Sequence, residues 1–492
     1  MLLNLPITLL NNLAFAFLAA LLLTTLSLLV LLRRTKQNEA NKSSPRLRDQ
    51  HQTSIPRWGG VGMLIGLLST LLLSTALPFE QVSSPLSGSY LWLLISAAFA
   101  CGLGFLDDQQ NLRARYKLLG QFVLGIFTAT VIFRPDTLQL PLIGLVEIGW
   151  FGGPLMVLWV VGVMNAINLV DGLDGLAGGL SLVTTLLLGT LCWWAGNFEL
   201  VLFSLALAGA IFGFWLFNKP PATLFMGDSG SMLLGYLLAV LTVKVVAVTG
   251  NGSVSLVPIL LLGIPLVDTA FAFLRRYLKG IPFYAADKDH LHHRCLQKGL
   301  SVWQTTLLLN ALGLFFGLLG VVAHLYSAIA SPLIMGFVLM VYGLLYWLEY
   351  DVIVRPSNAM RSQPQLRKQR DLVRALSENA EIYFAKDRNT TELQHSFRFW
   401  AELLDLRDYE LLQQQSLLHR QGIVVVAEED RLLEFSQDSF LLRLRLRQQD
   451  LQQDSDLKDE YLRMVVPLFL EQYKRLHQPA EGKSLRVISR TP

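Results

Sequence analysis

The sequence predicts an all-α polytopic membrane protein of about eleven transmembrane helices, N-terminus outside and C-terminus cytoplasmic, ending in a small α+β cytoplasmic tail domain. Three observations carry this. Of 492 residues, 52% are hydrophobic and 16% charged, whereas soluble globular chains carry roughly 25% charge. The apolar residues gather into runs long enough to cross a bilayer, and the mean hydropathy is +0.44. Lys and Arg gather in alternate connections between those runs, which sets a sidedness.

The first run, 7 to 32, has no basic stretch before it and is too long for a signal-peptide core, so it is expected as a retained span. Further windows follow near 58–77, 90–106, 117–133, 154–169, 178–195, 200–217, 230–249, 255–274, 303–327 and 331–350. Between them, Arg33, Arg34, Lys36, Lys42, Arg46, Arg48 and Arg57 fall in the first connection and Arg113, Arg115 and Lys117 in the third. Lys219 and the group Arg275, Arg276, Lys279, Lys288, Arg294 and Lys298 fall in later odd-numbered ones. The opposite loops hold little basic beyond Arg134, so the rich side is cytoplasmic. Lys244, near the outer end of its helix, is expected to snorkel. Three scattered cysteines, Cys101, Cys192 and Cys295, fit neither a closed disulfide framework nor a metal-ligand spacing.

The membrane domain is placed at 1–350 and a C-terminal extension at 351–492, where the composition turns charged and Gln-rich. In that tail "LRKQRDLVRALSENAEIYFA" and "ELQHSFRFWAELLDLRDYELLQQQ" carry helical apolar spacing, while "GIVVVAE" and the alternating "LLRLRLR" read as strands. No catalytic constellation is visible there.

Four polar clusters interrupt the apolar background, all on the predicted cytoplasmic face. A charge held in hydrocarbon costs about 3 kcal/mol or more, so each cluster must face water, a cavity or a cation. "FLDDQQNLRARYK" holds Asp107 and Asp108 at a helix end, where an acidic pair opposes the helix dipole and calls for a compensating cation or Lys117. The alternatives are a solvated helix terminus and, for Lys117, an ordinary interfacial anchor. In "NAINLVDGLDGLAGG", Asn165, Asn168 and Asp171 repeat at a helical spacing. Gly172 to Gly179 then loosen the chain around Leu173 and Asp174 so that a ligand approaches the backbone. "TLFMGDSGSMLLG" sets Asp228 before a helix expected to begin near Ser231, a place suited to an anionic phosphate with Mg²⁺ held against it. An ordinary N-cap is the alternative there, and for Phe225, base stacking competes with simple packing. "PFYAADKDHLHHRCL" crowds His290, His292, His293 and Arg294 together. The spacing does not suit zinc, and Arg294 would repel a cation, so a pyrophosphate is the better ligand.

These four motifs, in this order and at these separations, resemble the polyprenyl-phosphate N-acetylhexosamine-1-phosphate transferase family over about residues 1 to 350. Its members move a sugar phosphate from a UDP-sugar to a lipid phosphate and release UMP. The resemblance implies catalytic roles for Asp107, Asp108, Asp171, Asp174, Asp228, His290, His292 and His293. It implies substrate contacts from Lys117, Asn165, Gly172, Leu173, Phe225 and Arg294, with Asn168 and Asp228 beside Mg²⁺, for which Mn²⁺ is a possible substitute. "HLHHR" and "IPRWGG", Ile55 to Gly60, resemble the branch that uses UDP-N-acetylglucosamine or a related N-acetylhexosamine. The branch acting on UDP-N-acetylmuramoyl-pentapeptide carries three adjacent histidines, which this chain lacks.

The expected partners are thus a UDP-N-acetylhexosamine, an undecaprenyl-type polyprenyl phosphate and the inner (cytoplasmic) membrane, without nucleic acid and with a homodimer left open. A cation-coupled transporter is the rival from another class, but its polar groups belong near the bilayer midplane in two related halves. Here they lie at helix ends, without visible repeats.

Overall fold

The computed structural model describes residues 7–41, 55–76, 88–110, 112–140, 142–250, 252, 254–279 and 290–348, and in the remainder 395–396, 409–413, 416–421, 431–437, 440–446, 469 and 486–488. Two compact units divide at Pro356 and Ser357.

The first unit is mostly helical: α1 Ile7–Asn41, α2 Gly59–Ala76, α3 Ser89–Gln110, α4 Ala114–Phe127, α5 Gly152–Val170, α6 Leu176–Trp194, α7 Phe198–Asn218, α8 Gly227–Thr249, α9 Val257–Leu261, α10 Gly263–Lys279, α11 Leu291–Gln297, α12 Val302–Leu325 and α13 Ala330–Trp347. Eight helices among the described residues are long and apolar enough to cross a membrane, against the eleven windows expected. The other three windows fall on shorter pieces: α2, α4 with the π turn Thr128–Ile132 that continues it, and the pair α9 and α10. The break between α9 and α10 has a covalent cause. Pro265 has no N–H to give the Leu261 carbonyl four residues back, and that carbonyl instead accepts from the Thr184 hydroxyl on α6 at 3.0 Å.

Helix α8 is the hub, packed against α2, α3, α5 and α6, with 89% of its apolar window buried. It therefore reads as apolar on every face, as a helix surrounded by protein must. Lys244 does not snorkel: it is 8% exposed, with its ammonium 4.3 Å above the Tyr90 ring. The unit is not wholly helical either. Strands β1 Thr137–Leu140 and β2 Gly144–Glu147 form an antiparallel hairpin, and β3 Val254–Ser255 adds to β1 in parallel.

In the second unit, strands β4 Tyr409–Gln413, β5 Ser416–Gln421, β6 Arg431–Gln437, β7 Phe440–Leu446 and β8 Arg486–Ile488 form one antiparallel sheet in the order β5-β4-β7-β6-β8. The alternating "LLRLRLR" is largely β7, as its period of two requires. Tyr409–Gln413, expected at the end of a helix, is a strand paired on both sides, so ladder pairing overrides a local helical pattern. "GIVVVAE" and the expected helix near 366–385 lie outside the described residues.

Candidate active site

Where α3, α5 and α7 end and α2 and α8 begin, a cavity of about 350 Å³ opens between Arg57, Asn168, Asp171, Gly172, Leu173, Asp174, Asn218, Phe225, Gly227 and Asp228. Its wall is built by short-range chemistry. Asn168, in the last turn of α5, donates one amide nitrogen to Asp228 Oδ1 at 2.9 Å and to Ser231 Oγ at 2.8 Å. Lys117 Nζ bonds Asp228 Oδ2 at 3.0 Å and pairs with Asp107, whose other oxygen accepts the Leu112 N–H at 2.8 Å. The acidic end of α3 is thus compensated by Lys117, and Lys117 is no lipid-facing anchor.

Asp108 does something else. Its two oxygens accept the backbone N–H groups of Asp228 and Ser229, each at 3.0 Å, so a carboxylate of α3 caps the first turn of α8. Arg57 stands beside it at 3.7 Å. Two expectations change. Helix α8 begins at Gly227 rather than near Ser231, and its leading amides are engaged by Asp108 rather than open to a phosphate. Asp228 caps nothing; its carboxylate points at Lys117 and Asn168. The fit is tight: Gly227 sits at φ +71°, and a Cβ there would lie 2.6 Å from Asp108 Oδ2.

The glycine-rich loop after α5 is tied to the loop before α8. Asp174 Oδ2 accepts the Ala222 N–H at 2.9 Å, Asn218 Oδ1 accepts the Gly175 N–H at 3.0 Å, and Asn218 Nδ2 donates to the Leu224 carbonyl at 3.0 Å. Phe225 lines the cavity from a backbone held against "IPRWGG". Its N–H donates to the Pro56 carbonyl, its carbonyl accepts the Gly59 N–H, and Met226 accepts the Gly60 N–H, at 2.9, 3.2 and 3.2 Å. The two glycines are needed there, because a Cβ on Gly59 would meet Met226 Cα at 2.8 Å and one on Gly60 would enter the backbone of Gly230.

Asp171, at the end of α5, has its carboxyl held well above the usual carboxylate range. Burial is the largest cause, then repulsion from Asp228 and Asp108, against which Arg57 works in the other direction. Among the described residues no ion pair neutralises it. Asp171, Asp228 and Asn168 together offer hard oxygen donors at one wall of the cavity. Mg²⁺ takes one or two carboxylates together with water and phosphate oxygens, so this donor set fits it. No group of three His, Cys, Asp or Glu able to hold a metal occurs among the described residues.

Two expected members stand apart. Asn165 does not line the cavity; it donates to Gln121 Oε1 at 2.7 Å and to the Val161 carbonyl at 2.8 Å, tying α5 to α4. His290, His292, His293 and Arg294 are not in the cavity wall but behind it at α11. A Cβ on Gly172 would lie 2.8 Å from His292 Nε2. His292 is pushed down to about 4 by burial and by neighbouring His293, so near neutral pH it is an uncharged ring. Asp287 and Asp289 lie outside the described residues. Sequence reasoning missed Arg57, counted only for sidedness, and Asn218 and Gln121, whose lone amides in apolar helices were the available signal.

The glycosyl transferase family 4 model matches residues 90–246. A probable undecaprenyl-phosphate N-acetylglucosaminyl 1-phosphate transferase of Bacillus subtilis is 32% identical over 302 residues, covering 61% of this chain and 82% of that protein. A decaprenyl-phosphate N-acetylglucosaminephosphotransferase of Mycobacterium leprae is 33% identical over 292 residues, 54% and 72% of the two chains. A phospho-N-acetylmuramoyl-pentapeptide-transferase of Oceanobacillus iheyensis is 30% identical over 338 residues, 64% and 97%. With its acidic helix ends gathered round one cavity in a multi-pass membrane unit, the chain belongs to the polyprenyl-phosphate N-acetylhexosamine-1-phosphate transferases of glycosyl transferase family 4 and is a glycosyl-1-phosphate transferase.

Proposed function

We propose that this enzyme transfers N-acetylglucosamine 1-phosphate from UDP-N-acetylglucosamine to undecaprenyl phosphate and releases UMP. The reaction lies at the cytoplasmic face of the inner membrane and is the first membrane step of a cell-envelope polysaccharide. The observation that carries the reading is one cavity whose wall joins oxygen donors for a divalent cation, a cation, Arg57, and an aromatic ring, Phe225, with Lys117 paired to the lining residue Asp228. The relatives named for N-acetylglucosamine phosphate transfer support the choice of sugar.

Phosphoryl transfer needs alignment and charge neutralisation more than covalent help. An oxygen of the acceptor phosphate forms a bond to the β-phosphorus of the donor while the bond from that phosphorus to UMP breaks. The acceptor needs no strong base, since a phosphate monoester has its second pKa near ~6. Asp107 and Asp108 accordingly hold Lys117 and the start of α8 in place rather than remove a proton. Lys117 and Arg57 spread the negative charge, and Phe225 offers a face to uracil. Asp228, with Asp171 and Asn168, would hold Mg²⁺, which when bound would supply further charge neutralisation.

Purified protein with undecaprenyl phosphate, Mg²⁺ and a panel of UDP-sugars is expected to release UMP with UDP-N-acetylglucosamine. Turnover of UDP-N-acetylmuramoyl-pentapeptide alone, or UDP as product, overturns the reading. In the same assay Phe225→Ala is expected to raise the donor KM by about tenfold or more, the size of a lost base stack of roughly 1–3 kcal/mol, with the acceptor KM unchanged.

Sidedness has its own measurement. Cys101, Cys192 and Cys295 are buried, so a cysteine introduced at exposed Lys219 or Leu142 reports alone. In intact cells an impermeant thiol reagent should label position 142, at the hairpin turn, and spare 219. The reverse pattern refutes a cytoplasmic site.

A further inference from the structure

An aspartate outside the four motifs stands beneath the histidine segment. Asp268, on α10, is 1% exposed. Its Oδ2 lies 2.9 Å from His290 Nδ1, and its Oδ1 accepts the Leu291 N–H at 2.8 Å. One carboxylate therefore holds both the side chain of the residue before α11 and the first amide of that helix. His290 in turn lies parallel to His292, ring centroids 5.8 Å apart at 3°, and His292 lies 4.3 Å from His293. The middle ring, His292, faces Gly172 in the cavity wall.

Asp268 has a bond-by-bond consequence for His290. An ionised carboxylate accepts at both oxygens, so beside it His290 Nδ1 carries the proton and donates. In the neutral ring Nε2 is then the acceptor. A carboxylate that fixes which imidazole nitrogen bears the proton is a recurrent way of preparing a histidine for its task.

We propose that Asp268 is a positioning residue of the transfer reaction, setting the tautomer and orientation of His290 and, through the stacked rings, the position of His292 behind Gly172 of the cavity wall. The role of that segment rests on the function proposed above; the state of His290 does not.

Asp268→Asn separates positioning from mere support. The amide oxygen still accepts the Leu291 N–H, so α11 keeps its anchor. The NH₂ group, however, now donates to Nδ1 and forces the ring proton to Nε2. The variant is expected to keep the parent's melting temperature and acceptor KM and to lose about a hundredfold or more in kcat/KM for the donor. In a His290→Ala background, Asp268→Asn should change nothing further, because the residue it acts through is gone. Full activity of Asp268→Asn, or an equal loss in both backgrounds, overturns the proposal. ¹⁵N-histidine NMR of the parent in detergent gives a readout free of turnover and of any variant that fails to fold, with the His290 signal identified by its loss in His290→Gln. A protonated Nδ1 is expected, and an unprotonated or exchanging Nδ1 counts against the idea. If the parent releases no UMP but shows protonated Nδ1, the proposed function fails while the positioning of His290 stands.

Discussion

Asp228→Asn is expected to fold and insert as the parent does and to lose about a thousandfold in turnover, several kcal/mol of transition-state stabilisation. The size of the loss follows from what Asp228 touches. Its backbone N–H is held by Asp108 whichever side chain it carries, so the substitution leaves the start of α8 intact. Only the charge facing Lys117, Asn168 and the cavity disappears. A residue that merely ended a helix would cost about 1 kcal/mol of stability and leave turnover alone. Single-turnover release of UMP, measured beside thermal unfolding in detergent, distinguishes the two. Half of the parent's rate in a folded variant would falsify the assignment.

Lys117→Met should produce the largest loss of stability. Asp107 has a side chain only 2% exposed and is paired with the Lys117 ammonium, which also neutralises Asp228. Removing one partner of a buried pair leaves an uncompensated charge, a loss of about 3 kcal/mol. The thermal midpoint should fall by several degrees, and Asp107→Asn introduced with Lys117→Met should recover more than half of the fall. An unchanged midpoint in the single variant would show that water, and not Lys117, balances Asp107.

The sequence exposed the parts of this site that combine charge with an apolar setting. Asn168, Asp171, Asp174 and Asp228 all reach the cavity because a polar residue at a membrane helix end has few other uses. Their partners were less legible. Asp108 is chemically identical to Asp107, yet one carboxylate meets an ammonium and the other two backbone amides, a difference fixed by the approach of α3 to α8 and by nothing local. Asn165 shares a helical face with Asn168 but lies one turn deeper, where Gln121 takes its amide. Asp268 stands in the apolar run "PLVDTAFAFL" with the same signal as the others but without a second acid, amide or histidine in that run to mark a cluster. Eight of the eleven windows fall on helices long and apolar enough to cross a membrane, and the length of a hydrophobic window does not register a proline that breaks hydrogen bonding, as Pro265 does between α9 and α10.

The tether between residues 56–60 and 225–226 uses main-chain atoms alone. A wall fastened in this way keeps its place whatever side chain it displays. Position 225 can therefore exchange phenylalanine for tyrosine, leucine or a polar residue without moving the loop that carries it. If Phe225 stacks on the base as proposed, preference for one nucleobase over another would drift through single substitutions there, while the two glycines beneath must stay. On that reading the chemistry of the site and its choice of base would be separately inheritable.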